Sequence, residues 1–344
     1  MAERVTLATQ SGQWTIRPYQ EGDEGQIVDL FNRVFGKNRS LAHWHWQFRD
    51  NPEGKQIVVA VTGAGKVVGH YAAIPVRVTV DGRPFIFSQI VDSMVDRDSR
   101  RGLKRPGIST SLLTRLTQDH GAHDRAAVMY GFPTPETQRI TQRLNGFAYH
   151  RALKLVRVVD GDLRRTPWQQ MGDLWDRARF GVLRVNRVDA SVDRLWERCC
   201  GELRAATVRD ARYLNWRYAD CPDVTYRILV AKGLMTSSVQ GLAVLRLGCM
   251  DQPIACLVDW LIPTEAEAAA DRLLVRSLQE AKSAGMKELQ AWLPASSPWH
   301  LHLLDCGFRA VEDQGIGIRS FTPAIPVEFL QKHWYYTMGD SDFV

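Results

Sequence analysis

Between Ile90 and Leu116 the chain reads IVDSMVDRDSRRGLKRPGISTSLLTRL. One carboxylate, Asp92, lies inside an apolar run, and the cations Arg97, Arg100, Arg101, Lys104 and Arg105 follow it with Gly102 and Gly107 among them. Ser109 and Thr110 then mark a helix start, with Leu112, Leu113 and Leu116 at helical spacing. A strand, a basic glycine-containing turn and a helix start present unpaired backbone N–H groups and a positive dipole end, an arrangement that suits a phosphate. A carboxylate is costly to bury. Asp92 therefore moves a proton beside the bound group, faces solvent, or pairs with an arginine. Tyr130, at the end of the next apolar run, reads most simply as an aromatic core residue. A solvated loop would also account for the cations, but Gly107 and the hydroxyl-marked helix start favour the phosphate.

The elements that must position these residues follow from periodicity. Thr15–Pro18 reads as a strand, Glu24–Phe35 as an amphipathic helix, and Ser40–Phe48 as a second helical piece before the turn Asn51-Pro52. Gln56–Val61 with Lys66–Ile74, and Val76–Val80 with Pro84–Ser88, read as hairpins, the second around Asp81-Gly82. Ala126–Phe132 is expected as a buried strand, Thr134–Leu144 as a helix whose opening Thr134, Glu136 and Thr137 serve as caps, and Arg151–Val159 as a strand. Trp168–Val182 reads as a connecting helix and Ala190–Gly201 as another.

The second half then restarts the first. Trp46, Phe48 and Pro52 recur as Trp216, Tyr218 and Pro222 at one offset (216 − 46 = 170 and 222 − 52 = 170). Pro133 precedes Gly146-Phe147 by the distance that separates Pro294 from Gly307-Phe308 (146 − 133 = 13 and 307 − 294 = 13). Two signals in the same order indicate two related domains. The expected division is 1–159, a linker with connecting helix over 160–189, and 190–344.

A chain of 344 residues with 45% hydrophobic and 24% charged content can build an ordinary core without staples. The net charge of +6 favours an anionic partner but has no basic tail behind it, so nucleic acid is disfavoured. The six cysteines, Cys199, Cys200, Cys221, Cys249, Cys256 and Cys306, form no C-x-x-C pair, and the histidines lie at no familiar metal spacing. Neither a disulfide framework nor a metal site is expected. The opening residues lack a signal-peptide core, and no run reaches the roughly 20 apolar residues of a membrane span. A reduced, cytoplasmic protein is the expectation.

The element order, the strand–basic turn–helix unit and the strand–helix–Gly-Phe ending resemble the GNAT (Gcn5-related N-acetyltransferase) superfamily, and the two halves together resemble a tandem GNAT protein. The resemblance implies an α/β (α+β) fold of two domains, each with a mixed, mostly antiparallel sheet flanked by helices. It implies an acyltransferase that moves an acyl group from acetyl-CoA or another acyl-CoA to the amine of a small molecule such as an amino sugar or amino acid, without a metal. The family's pyrophosphate turn, R/Q-x-x-G-x-G/A, is nearest here to Lys104-Arg-Pro-Gly107-Ile108-Ser109, with Arg100, Arg101, Gly102 and Arg105 beside it and Ser109 replacing the last small residue. By the same analogy Met94 and Val95 meet the pantetheine arm and Asp92 stands where some members place a base. The family's tyrosine acid has no counterpart, since Gln142 and Leu303 occupy its positions, which leaves Tyr130 as the substitute. In the second half Glu265 and Glu267 stand where the cations would be, so that half is expected not to bind the donor. Two further readings keep the fold: an aminoacyl-tRNA-dependent transferase and a non-catalytic binding protein. A homo-oligomer is open under all three.

Overall fold

The computed structural model describes residues 5–9, 12–100, 107–133, 138–139, 146–160, 180–233, 238–249 and 252–342. The chain forms two compact units that are not contiguous in sequence. The first is Met1–Arg77, Phe85–Tyr149 and Ile316–Val327; the second is Val78–Pro84, His150–Gly315 and Glu328–Val344.

In the first unit the described elements are β1 (Val5–Thr9), β2 (Gly12–Pro18), α1 (Glu24–Phe35), α2 (Leu41–Trp44), β3 (Gln56–Thr62), β4 (Val67–Val80), β5 (Arg83–Val95), α3 (Ile108–His120) and β6 (Val128–Gly131). Helix α1 has the expected bounds. It buries Ile27, Val28 and Leu30 and stops at Gly36, whose left-handed conformation returns an N–H to the Asn32 carbonyl. Ser40 caps α2 through the His43 N–H, and the chain then tightens into a five-residue π turn, His45–Arg49. β4 is one strand running through Pro75, not two, and its turn at Asp81-Gly82 has positive φ at both residues, as a tight hairpin requires. The strands run β1-β2-β3-β4-β5-β6, and β5–β6 is a parallel pair, joined by way of α3. Alternation along the strands separates two cores. Val58, Ala60, Val68, Tyr71, Ile90 and Val95 meet α3 through Ile108, Leu112, Leu113 and Leu116. Ile57, Val59, Val67, Ala72, Val91 and Met94 meet α1 and α2 through Ile27, Leu30 and Trp44.

The described elements that follow are β7 (Ala148–Val158), β8 (Phe180–Val185), α4 (Ser191–Cys200), β9 (Ala205–Thr207), α5 (Ala211–Leu214), β10 (Tyr226–Gly233), β11 (Val239–Leu247), β12 (Ile254–Leu261), α6 (Glu267–Ser283), β13 (Glu288–Trp292), α7 (Pro298–Asp305), β14 (Arg309–Ser320), α8 (Val327–His333) and β15 (Trp334–Tyr335). In the second unit the strands run β7-β13-β12-β11-β10-β8, with β12–β13 as the parallel pair around α6. The end of β14 belongs to the first unit, where Gly317–Ser320 pairs antiparallel with Val128–Gly131.

The repeat is visible in the backbone. Asp210 caps α5 through the Tyr213 N–H, and a second π turn follows at Asn215–Ala219. Cap, helix and π turn all lie 170 residues after their first-unit counterparts (210 − 40, 211 − 41 and 215 − 45). Each unit also lays its crossover helix on a glycine. A Cβ at Gly69 would come within 2.9 Å of Ile108 and Leu112, and one at Gly241 within 3.0 Å of Leu273.

Three expectations need correction or fall outside the described residues. The helix expected over Trp168–Val182 ends in error, because Phe180–Val185 is an edge strand paired with Ile228–Gly233. Its apolar period gives way to ladder pairing, and the remainder lies outside the described residues. Of the helix expected over Thr134–Leu144, only Gln138 and Arg139 are described, and they are helical; Thr134, Glu136, Thr137 and Gln142 lie outside. Cys249 and Cys256, read as unpaired, have their sulfurs in bonding contact with Cα atoms 6.6 Å apart, because the β11–β12 connection brings them face to face.

Candidate functional site

In the first unit β5 and β6 pair only over Phe87–Gln89 and Val128–Tyr130. β5 continues to Val95 with no β6 partner, so the parallel strands part at Ile90. Beyond this point Val91 and Met94, three residues apart, face the same core, while Ile90 and Val95 face the other. One extra residue therefore lies between them. That residue is Asp92, at φ +51°, a left-handed conformation rare outside glycine.

Two contacts hold the bulge. The Asp92 carboxylate forms an ion pair with Arg39, whose guanidinium lies 3.5 Å from the Phe31 ring centroid. Asn32 fixes Arg39 in turn, accepting from its N–H at 2.7 Å and donating to its carbonyl at 3.1 Å. The buried His70 ring donates from Nδ1 to the Asp92 carbonyl at 2.9 Å, since a carbonyl can only accept. Burial lowers the His70 pKa from its ordinary value, with Asp92 opposing the shift. Of the three roles the sequence allowed Asp92, the arginine pair is present.

Helix α3 begins at Ile108, one residue before its expected hydroxyl start, and Gly107 is its uncapped N-cap. The N–H groups of the first turn thus have no side-chain acceptor at Gly107 and no intrahelical one. Among the described residues, nothing lies within 4 Å of the point where a Gly107 Cβ would stand. Ser109 does not cap; its hydroxyl meets the Tyr71 hydroxyl at 2.8 Å, and Ser93 also reaches Tyr71. Burial raises the Tyr71 pKa while these two hydroxyls pull it down. Arg100 turns back to donate from Nε to the Val95 carbonyl at 2.9 Å. Arg101, Gly102, Lys104 and Arg105 lie outside the described residues.

The structure thus places Asp92, Met94 and Val95 at one strand end, onto which Arg100 folds back from the following turn, with Gly107, Ile108 and Ser109 at the helix start of the same unit. The Met94 and Val95 side chains are buried in opposite cores, so their backbone is what the strand can offer a ligand. Tyr130 is opposite Gln89 at the last paired position, almost fully buried, with its ring edge-on to Phe132. Tyr71 was missed by sequence reasoning. Strand alternation alone places it on the α3 face, and that was the available signal.

The second unit repeats the parting and fills it. β12 and β13 pair over Ile254–Leu257 and Glu288–Ala291, and β12 runs on to Leu261. The closing segment packs here: the Tyr335 hydroxyl donates to the Trp260 carbonyl, and a Cβ at Gly339 would stand 3.2 Å from the Val258 carbonyl. Arg209 is fully buried between Asp259 at 2.7 Å and Asp340 at 2.8 Å, and Tyr218 donates to Asp259 at 2.8 Å. Ahead of α6, Glu265 pairs with Arg198 at 2.8 Å.

Comparison with known proteins bears on the same geometry. Residues 15–145, which contain the strand parting, the bulge and α3, match the Acetyltransferase (GNAT) domain family. That stretch is similar to a GNAT domain. Solved structures extend a likeness of fold over nearly the whole chain. A GCN5-related N-acetyltransferase from Anabaena variabilis shares 13% identity at a TM-score of 0.65, covering 90% of this chain and 73% of its own. One from Kribbella flavida shares 15% at 0.58, covering 90% and 72%. Saccharomyces cerevisiae N-myristoyltransferase with bound myristoyl-CoA shares 14% at 0.56, covering 91% and 83%. At these identities the likeness is one of fold. No curated protein sequence matches the chain significantly. Among the described residues no helix is long and apolar enough to cross a membrane.

Proposed function

We propose that the first unit is an acyl-CoA-dependent N-acyltransferase acting on the amine of a small molecule, an amino sugar or amino acid being the class in view. The observation that carries this reading is the parting of β5 from β6 at Ile90 in the unit whose helix α3 starts at Ile108 with Gly107 as an N-cap that makes no side-chain cap. A GNAT domain match over the same residues supports it. The donor's pyrophosphate would rest on the N–H groups of Ile108, Ser109 and Thr110, with Arg100, Arg101, Lys104 and Arg105 supplying charge. The backbone of Met94 and Val95 would line the pantetheine arm. Gly102 would let the turn approach the phosphates closely.

Transfer needs the amine nitrogen to attack the thioester carbon, the carbon–sulfur bond to break, the amine to lose a proton and the thiolate to gain one. Asp92 is the candidate base and also the residue that holds the bulge. Two phenols are candidates for the proton donor: Tyr130 at the point of parting, and Tyr71, whose hydroxyl joins Ser109 and Ser93 at the helix start. The second unit, whose corresponding opening is filled by Thr337–Ser341, is assigned no donor.

Thermal melting with acetyl-CoA and with longer acyl-CoAs tests the donor. The fold shared with a myristoyl-CoA-binding enzyme is the reason to include long chains. A ligand at a hundred times its Kd adds about 2.7 kcal/mol, several degrees in Tm. Alanine at Arg101, Lys104 and Arg105 together should diminish that shift. No shift with any thioester would remove the acyl-CoA assignment.

A further inference from the structure

In the second unit α6 and α7 carry a cluster that the transfer reaction does not use. Asp271 lies one turn after Glu267 on α6, and Cys306 lies one turn after His302 at the end of α7. The Asp271 carboxylate oxygen is 3.2 Å from His302 Nε2, and the Cys306 sulfur is 3.8 Å from the same nitrogen. Ligand atoms of Asp271, His302 and Cys306 all fall within 4.8 Å of one another. Glu267 stands on the other side of the ring, its Oε1 3.8 Å from Nδ1.

We propose that Asp271, His302 and Cys306 form a binding site for a divalent transition metal of the Zn²⁺ class, fastening α7 to the first turns of α6. Both partners converge on one nitrogen, which can carry a single hydrogen and so serve a single acceptor. A cation placed among the three serves all of them. Convergence on Nε2 also excludes a Cys–His–Asp nucleophile relay, which needs acid and thiol on opposite ring nitrogens. The spacing is that of a metal site. Tetrahedral bonds of about 2.3 Å to sulfur and about 2.0–2.1 Å to nitrogen and oxygen give ligand edges of about 3.5 Å for S···N and about 3.3 Å for N···O. The corresponding separations are 3.8 Å and 3.2 Å. Two of the edges are therefore nearly those of the loaded site. A thiolate and a carboxylate neutralise a divalent ion, and thiolate with imidazole selects zinc over magnesium or calcium. Glu267 occupies the side from which a ligating histidine is ordinarily held by a carboxylate. The fourth position is left to water.

The test uses the full chain, reduced and stripped of metal, titrated with Co²⁺ and Zn²⁺. The expected result is one equivalent of Co²⁺ with a thiolate charge-transfer band and the intense d–d bands of a tetrahedral site, and a Zn²⁺-dependent rise in Tm that chelator reverses. Cys306→Ser should abolish the charge-transfer band, and His302→Gln should abolish stoichiometric binding. Glu267→Gln should lower affinity about tenfold. Cys221→Ser should change nothing. Melting in chelator establishes that each variant is folded, and the wild-type spectrum stands if one is not. A folded wild-type protein without the band, or a band that survives Cys306→Ser, would overturn the site.

Discussion

Asp92 combines two properties that substitution can separate: a carboxylate paired with Arg39, and a backbone at φ +51°. Asn and Gly both tolerate that backbone, whereas a β-branched residue does not. Asp92→Val should therefore lose about 1–3 kcal/mol in urea unfolding, with Asp92→Gly losing less. If Asp92 is the base, Asp92→Asn should lower kcat by about 10²–10⁴ and flatten the acidic limb of the pH profile. If it only positions the strand, Asp92→Asn should keep that limb. His70 gives a pH signature of its own. Its pKa is lowered in the folded state, so the unfolded chain takes up a proton first as pH falls below about 6.5. Stability is then fully present above that value and is lost on acidification, by at most about 1.4 kcal/mol per pH unit, until the folded ring protonates. His70→Asn keeps a donor for the Asp92 carbonyl and should remove this slope in unfolding measured against pH. The sequence made Asp92 stand out, since one acid in an apolar run needs an explanation. Its conformation was not legible, because Arg39 and His70, which hold it, lie 53 and 22 positions away.

At the scale of elements, α3 is only as well placed as Gly69 allows. A methyl there would meet Ile108 and Leu112 at 2.9 Å. Gly69→Ala should cost about 1–3 kcal/mol and displace the helix start, weakening acyl-CoA binding by calorimetry more than a surface change such as Lys66→Ala does. The apolar period of α3 was readable, but its start was not. Ser109 has the chemistry of a cap, yet its hydroxyl is taken by Tyr71 and Gly107 holds the cap position. The repeated Trp–aromatic–Pro pattern likewise marked both π turns by position while giving no hint of their winding. In the second unit, Arg209 depends on Asp340 and Asp259 in full burial. Asp340→Ala leaves a buried guanidinium half-compensated and should cost about 3–5 kcal/mol in denaturant unfolding, far more than removing the exposed pair Arg187–Asp220.

For the molecule as a whole, hydrophobic period and repeat offset led to the expectation of two related halves, but not to how the chain shares its strands between its two units. β6 takes its partner from Gly317–Ser320, and the first unit claims Ile316–Val327. Pairing across such a separation leaves no local pattern to read. A fragment ending at Tyr149 therefore presents β6 as an open edge, although it contains all of residues 15–145. Such a fragment should aggregate or melt early, and adding residues 309–327 as a separate peptide should raise its Tm.

The shared strand also sets a timetable for synthesis. Ile316 emerges 167 residues after Tyr149 (316 − 149), roughly 8–33 s at about 5–20 residues per second. Throughout that interval the nascent first unit waits with its last strand unmade. Arg209 likewise waits for Asp340, 131 residues on. Neither half can finish folding before these late segments have been made, so both close late, and a ribosome stalled before Ile316 holds two incomplete cores.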